Sequence, residues 1–159
     1  MRRLAIDPGG KRTGLASGDD DARIASPLAA IDGTGSGAFV RQLRQQIDHV
    51  GAEALLLGWP VNMNGTRGGA AKSAEQLAIR LHRELGLAVL LIDERQTSDD
   101  ADRLMAQSGL THGQKKARRD GLAAAQLLVR FWAAGLRGVD PLGLPERAAD
   151  LSSPHDSSA

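Results

Sequence analysis

Apolar and polar positions along the chain fall into short buried runs near its start and helical stripes further on. Leu4 to Ile6 is an apolar run of strand length that ends on one carboxylate, Asp7. A Pro8-Gly9-Gly10 turn, the cations Lys11 and Arg12, and Gly14 lead into a second strand over Leu15 to Ser17, with Asp19-Asp20-Asp21 as the hairpin turn. Arg23 to Ile31 reads as a third strand, and Pro27 inside it argues for an edge or a bulge. Gly33 to Gly37 is a loop in which Ser36 can cap the next helix. Phe39, Leu43, Ile47 and Val50 then recur at helical spacing, with Arg41, Arg44, Gln45 and Asp48 toward water.

Glu53 to Gly58 holds a continuous apolar run, as a central parallel strand should. A Gly-rich polar loop from Trp59 to Gly69 leads into a helix with Ala74, Leu77, Ala78, Leu81 and Leu85 on one face and Gly86 as its stop. Leu87 to Ile92 is a further apolar strand, with Asp93-Glu94-Arg95-Gln96 at its carboxyl end. Thr97 to Asp100 reads as an N-cap and acidic first turn of a helix reaching Gln107. After a basic loop, the last helix starts near Arg118, with Ala124, Leu127, Leu128, Phe131 and Ala134 as its apolar face and Gly135 as its end. The predicted order is β-β-β-α-β-α-β-α-α. It gives an α/β fold: a mixed five-stranded sheet, three antiparallel N-terminal strands and then parallel strands beside the first, with helices on both faces.

Composition sets few further limits. A chain of 159 residues with 42% hydrophobic and 25% charged residues can bury one core. It has no apolar run long enough for a membrane span, and Asp7 interrupts the opening run too early for a signal peptide. The absence of cysteine excludes disulfides, zinc thiolate sites and cysteine nucleophiles, and suits a cytoplasmic protein. Net charge is +1, but unevenly spread. Asp140, Glu146, Asp150 and Asp156 outweigh Arg147, so residues 139–159 form an acidic, Pro- and Ser-rich tail expected to be disordered beyond a 1–138 domain. Arg103, Lys115, Lys116, Arg118 and Arg119 form a stretch without an acid, the best candidate for a polyanion contact.

Three acids then stand out together. Asp7 ends the first strand and Glu94 follows the last, both strands being expected central and parallel. Asp120 lies in the first turn of the final helix. Each also has a plain structural reading, as a turn residue, a surface acid, and a helix N-terminal acid satisfied by Arg118 and Arg119. Carboxylates converging at one sheet edge beside a basic loop repel each other unless a cation holds them, and their oxygens are hard ligands for Mg²⁺ or Mn²⁺. Such ions, roughly 3.5–4 Å apart when paired, suit phosphodiester hydrolysis without a side-chain nucleophile. None of His49, His82, His112 and His155 stands in a metal-ligand spacing.

The segments Ala5-Ile6-Asp7-x-Gly9-x-Lys11-Arg12-x-Gly14, Gly58-x-Pro60-x-Asn62-Met63-x-Gly65, Asp93-Glu94-Arg95-x-Thr97, and Lys115-Lys116 before Asp120-x-x-Ala123-Ala124 together resemble the YqgF family. Its members are Holliday-junction-resolvase-like proteins with an RNase H-like fold, known as pre-16S rRNA nucleases. The resemblance implies a metal-dependent nuclease with Asp7, Glu94 and Asp120 as catalytic and metal-binding triad, using Mg²⁺ or Mn²⁺. It implies 5′-end maturation of pre-16S ribosomal RNA, with DNA-junction cleavage as the older idea, and partners among structured RNA, branched DNA and ribosomal precursor particles. Lys11 and Arg12 match its basic pair and are assigned to backbone phosphate. Asn62 and Gly65 are placed near the substrate, and Arg95, Lys115, Lys116, Arg118 and Arg119 complete the expected nucleic-acid contacts. Two departures are visible: the acid after the second strand is shifted to Asp19, and Gly121 follows Asp120 as a poor helix former. Trp59 is a candidate for base stacking, whereas Trp132 suits packing on the last helix.

Two rivals differ in class. Asp7, Gly9 and Gly14 also resemble the first phosphate loop of sugar-kinase and actin-like ATPases, which need a second lobe that 159 residues cannot supply. A non-catalytic nucleic-acid-binding or ribosome-assembly factor could keep the same triad with little turnover.

Overall fold

The computed structural model of the chain describes residues 1–94 and 119–136, with Arg119 defined by its backbone alone. These residues form β1 (Arg2–Asp7), β2 (Arg12–Asp19), β3 (Ala25–Asp32), α1 (Phe39–Val50), β4 (Ala54–Trp59), α2 (Gly69–Leu85), β5 (Ala88–Asp93) and α3 (Arg119–Ala133). The helix expected over 97–107, the basic loop and the tail 139–159 lie outside the described residues.

The sheet has the order β3-β2-β1-β4-β5. β1–β2 and β2–β3 pair antiparallel, and β1–β4 and β4–β5 pair parallel. This is the mixed five-stranded sheet expected from the pattern. One placement differs. Among the described residues β5 is an edge strand, with β4 between it and β1. The cause is topological: α1 and α2 cover the same sheet face, so two successive crossovers of one hand step outward, first to β4 and then to β5. β2 is also longer than its apolar run, because hairpin pairing with β1 carries it from Gly14 through Asp19.

Alternation along each strand feeds two cores. Leu4, Ile6, Leu55, Leu57, Val89 and Leu91 point to the face covered by α1 and α2, where Phe39, Leu43, Ile47, Ala74, Ala78 and Leu81 meet them. Ala5, Ala16, Leu56, Leu90 and Ile92 point to the other face and meet Ala124, Ala125, Leu127, Leu128, Phe131 and Trp132 of α3. The side chains under α3 on β1 and β2 are small, and the helix sits close. A Cβ on Gly14 would collide with the Asp120 carbonyl, and one on Gly121 would stand 2.9 Å from both the Leu28 carbonyl oxygen and Pro27 Cβ. Gly121 is thus a point of close approach, and its weak helix propensity is the cost of seating the helix start on the sheet. Gly86 (φ 71°) and Gly135 (φ 74°) follow α2 and α3 in the left-handed region, as the sequence leads one to expect.

The hairpin turn is less simple than three solvated aspartates. Asp20 turns inward and accepts hydrogen bonds from Arg3 Nε (3.0 and 2.9 Å) and Trp132 Nε1 (3.0 Å). The Arg3 guanidinium lies 4.4 Å above the Phe131 ring, and its side chain is only 3% exposed. This buried ion pair fastens the start of β1 and the hairpin to α3.

Candidate functional site

Asp7, Gly58 and Glu94 stand side by side on three adjacent strand ends. Strand parity puts Asp7 on the α3 face with Ala5, and Gly58 with Leu56. Register pairs Ile6 with Leu57 and Gly58 with Ile92, so Gly58 lies between the exits of β1 and β5. Strands two apart in a sheet are roughly 9–10 Å from each other, a distance that two carboxylates close only across an empty position. Gly58 is that position: a Cβ there would collide with Glu94 Oε1. Glu94 is fixed at two further points. Its N–H donates to the Trp59 carbonyl (3.3 Å), and its own carbonyl accepts from Arg130 Nη1 of α3 (3.1 Å).

The electrostatics follow from this crowding. Burial raises the Asp7 carboxyl above its ordinary value, and the Asp120 charge raises it further. Burial likewise raises Glu94, with the Asp7 charge next; Arg130 pulls it back down and Asp93 pushes it up. Asp7 therefore feels both of the other acids. Asp120 opens α3 over Gly14 and is engaged by Arg12, whose Nη2 lies 3.2 Å from its Oδ2. Arg12 itself is exposed. It is a counter-ion the sequence reading did not assign to Asp120; Arg118 and the Arg119 side chain lie outside the described residues.

No three His, Cys, Asp or Glu side chains among the described residues stand close enough to form a ready metal cage. The donor set nonetheless has the chemistry of a hard divalent cation site: two half-buried carboxylates whose proton affinity is raised by burial first and a neighbouring acid second, with a third paired to an exposed guanidinium.

The remaining candidate residues have different surroundings. Lys11 is exposed in the turn after β1, and that turn is braced by the loop after β3, Gly33 N–H donating to Lys11 O (2.9 Å) and Thr34 N–H to Gly9 O (3.2 Å). Asn62 and Gly65 build the loop after β4. Asn62 N–H donates to Thr66 O (3.0 Å), its Nδ2 to Thr66 Oγ1 (3.0 Å), and Gly65 N–H to Asn62 O (2.8 Å). Met63 is 87% exposed in that loop. Trp59 is only partly exposed and packs against the core, while Trp132 is buried under α3. Asp19 pairs with Arg2 at the opposite end of β1 from Asp7, so its shift along the sequence does not touch this site. Arg95, Lys115, Lys116 and Arg118 lie outside the described residues, as does the side chain of Arg119.

An open cleft of about 600 Å³ runs from Asp7 and Glu94, past Gly58 and Pro60, to Ser73, Gln76 and Arg80 of α2. Neither that wall nor the parts played by Gly58 and Arg130 can be deduced from the sequence. Gly58 stood in a recognisable motif without a role, and Arg130 is a single cation within the apolar second half of its helix.

Comparison with known proteins places the geometry in context. A family model described as "RuvX: Holliday junction resolvase" matches residues 1–133. The "Putative pre-16S rRNA nuclease" of Geobacillus kaustophilus (strain HTA426) is 35% identical over 133 residues, covering 82% of this chain and 96% of the relative. A protein of the same name from Chloroflexus aurantiacus is 34% identical over 125 residues, 79% and 82% of the two chains. Among solved structures, T. thermophilus RuvC in complex with a Holliday junction superposes with a TM-score of 0.58 at 16% identity, over 87% of this chain and 98% of that one. The fowlpox virus resolvase bound to junction DNA gives 0.51 at 12% identity, over 86% and 100%. These two likenesses concern the fold.

Proposed function

The chain belongs to the RuvX family of Holliday junction resolvases, hydrolases acting on nucleic acid, and on that premise we propose that it is a metal-dependent nuclease maturing the 5′ end of pre-16S ribosomal RNA. The observation that carries the reading is the approach of Glu94 toward Asp7 through the gap at Gly58. Asp7, Glu94 and Asp120 are the residues that would hold Mg²⁺ or Mn²⁺. Bound there, the cation supplies an activated water and neutralises charge at the phosphate.

The chain's own groups do the rest. Asp7 and Glu94, raised by burial, are repelled by each other and gain most from a cation between them. Arg12 holds Asp120 at the start of α3 and keeps further guanidinium donors toward solvent, where a phosphate oxygen can take them. Lys11 adds a second cation beside it. Residues 1–138 would constitute the nuclease, residues 139–159 an accessory tail, and the basic stretch through Lys115 and Lys116 a further backbone contact. Among the described residues no helix is long and apolar enough to cross a membrane. A ribosomal RNA precursor as substrate would place the protein in the cytoplasm, with ribosomal precursor particles as partners.

The test is cleavage of a 5′-extended small-subunit rRNA precursor and of a four-way DNA junction, side by side, with Mn²⁺, with Mg²⁺ and with chelator, Asp7→Asn being run in parallel. RNA-selective, metal-dependent cutting lost in the variant is the expected result. Selective cutting of the junction would move the substrate to DNA. Binding without cutting would make the protein an assembly factor.

A further inference from the structure

The cleft beside Asp7 and Glu94 does not end at α2. A second depression, of about 370 Å³, is lined by Gln76, Ile79, Arg80, Arg83 and Glu84. The two share Gln76 and Arg80, so one groove runs from the acids along the helix. Ser73, Gln76, Arg80 and Arg83 fall on one helical stripe, and all four are exposed. The stripe offers a hydroxyl, an amide and two guanidiniums, while the first depression is floored by Ala74 and Leu77.

The one acid on this stripe is Glu84, paired with Arg80 at 3.2 Å with both side chains close to half exposed. An exposed pair four residues apart on a helix is weak and screened by solvent, so a phosphate can replace Glu84 on Arg80 at little cost. The Glu84 carbonyl also accepts from Arg44 Nη2 of α1 (2.9 Å), which brings a third guanidinium to the far end of the groove. The helix's other acid, Glu75, lies on the buried side and is satisfied by Arg67 at 2.7 Å.

We propose that this groove is a track for a single strand of nucleic acid, gripped through its phosphates by Arg80 and Arg83 and leading to Asp7 and Glu94. The proposal rests on the nuclease reading and adds a contact surface on the side of the acids opposite α3. Depressions of this size admit single nucleotides and not a duplex, and guanidiniums on a helical stripe suit a backbone followed without regard to sequence.

The test is binding of the full chain, in chelator so that nothing is cut, to a single-stranded RNA of about twelve nucleotides across a salt series. Arg80→Gln/Arg83→Gln is compared with Arg23→Gln/Arg41→Gln, which removes equal charge from positions that line neither depression. Loss of two single-strand phosphate contacts should flatten the dependence of log K on log salt by about 1.4, with the control double variant keeping the wild-type slope. An unchanged slope in the groove variant, or an equal loss in the control, overturns the track and leaves the nuclease reading standing. A wild-type chain that binds neither this strand nor the rRNA precursor overturns both.

Discussion

Gly58 and Glu94 compete for one volume: the glycine's missing Cβ is where the glutamate's carboxylate lies. The blocked atom would be the far end of a flexible side chain and not backbone, so the sheet can absorb a methyl group there by moving Glu94. Gly58→Ala is therefore expected to fold, with stability within about 1 kcal/mol of wild type. Metal-dependent cleavage should fall on the order of a hundredfold, the effect of misplacing a reacting group by about 1 Å. Thermal melting and single-turnover cleavage on the same preparation check it; full activity would remove Gly58 from the site.

The raised Asp7 and Glu94 carboxyls make a statement about pH and stability. Both hold their protons more tightly folded than unfolded, so between the ordinary values of 3.8 and 4.5 and their higher folded values the native chain binds more protons. Their contribution to stability consequently falls as pH rises through that window and stays low at neutral pH. In chelator at pH 7, Asp7→Asn should melt above wild type, and the gap should close as pH drops below 3.8. Adding Mn²⁺ should raise the wild type and not the variant. Parallel melting curves at every pH would contradict this.

Arg130 opposes the rise at Glu94 and anchors its carbonyl. Arg130→Met should raise the Glu94 proton affinity further and move the acid limb of the pH–rate profile upward, because cleavage needs the carboxylate ionised. Arg130→Lys should restore part of the shift. A lower rate with an unmoved profile would make Arg130 a packing residue only.

Asp20 is expected to matter for stability and not for chemistry. Asp20→Ala leaves Arg3 charged and 3% exposed and deprives Trp132 Nε1 of its acceptor. Loss of one partner of a buried ion pair costs about 3–5 kcal/mol. Urea denaturation should show that loss, while cleavage per folded molecule stays near wild type.

The contrast between Asp20 and Asp7 shows what the sequence could disclose. Asp7 follows a clean apolar run, and the position of a carboxylate at a strand end is legible from periodicity. Asp20 sits in a run of three aspartates that reads as solvent-facing, and only the docking of Phe131 and Trp132, more than a hundred residues later, takes it inside. The five strands and the helices α1, α2 and α3 were readable because each has a strong local pattern. The edge position of β5 was not, since a fully apolar run fits any strand covered on both faces. Gly58 was the hardest to read. Its role is an absence of atoms, meaningful only once Glu94 stands beside it in space.

The order of the sheet also bears on synthesis of the chain. The hairpin carrying Asp7 is local and can pair as soon as residues 1–32 have emerged from the ribosome. Glu94 joins it only after β4 and β5 have docked on the far side of β1, and Asp120 only when α3 closes over β1, β2 and β3. A product that stops before β5 thus displays Asp7 without its partners, and one that stops before α3 still lacks Asp120. On the proposed reading of the three acids, an unfinished chain has no complete site until its last helix lands.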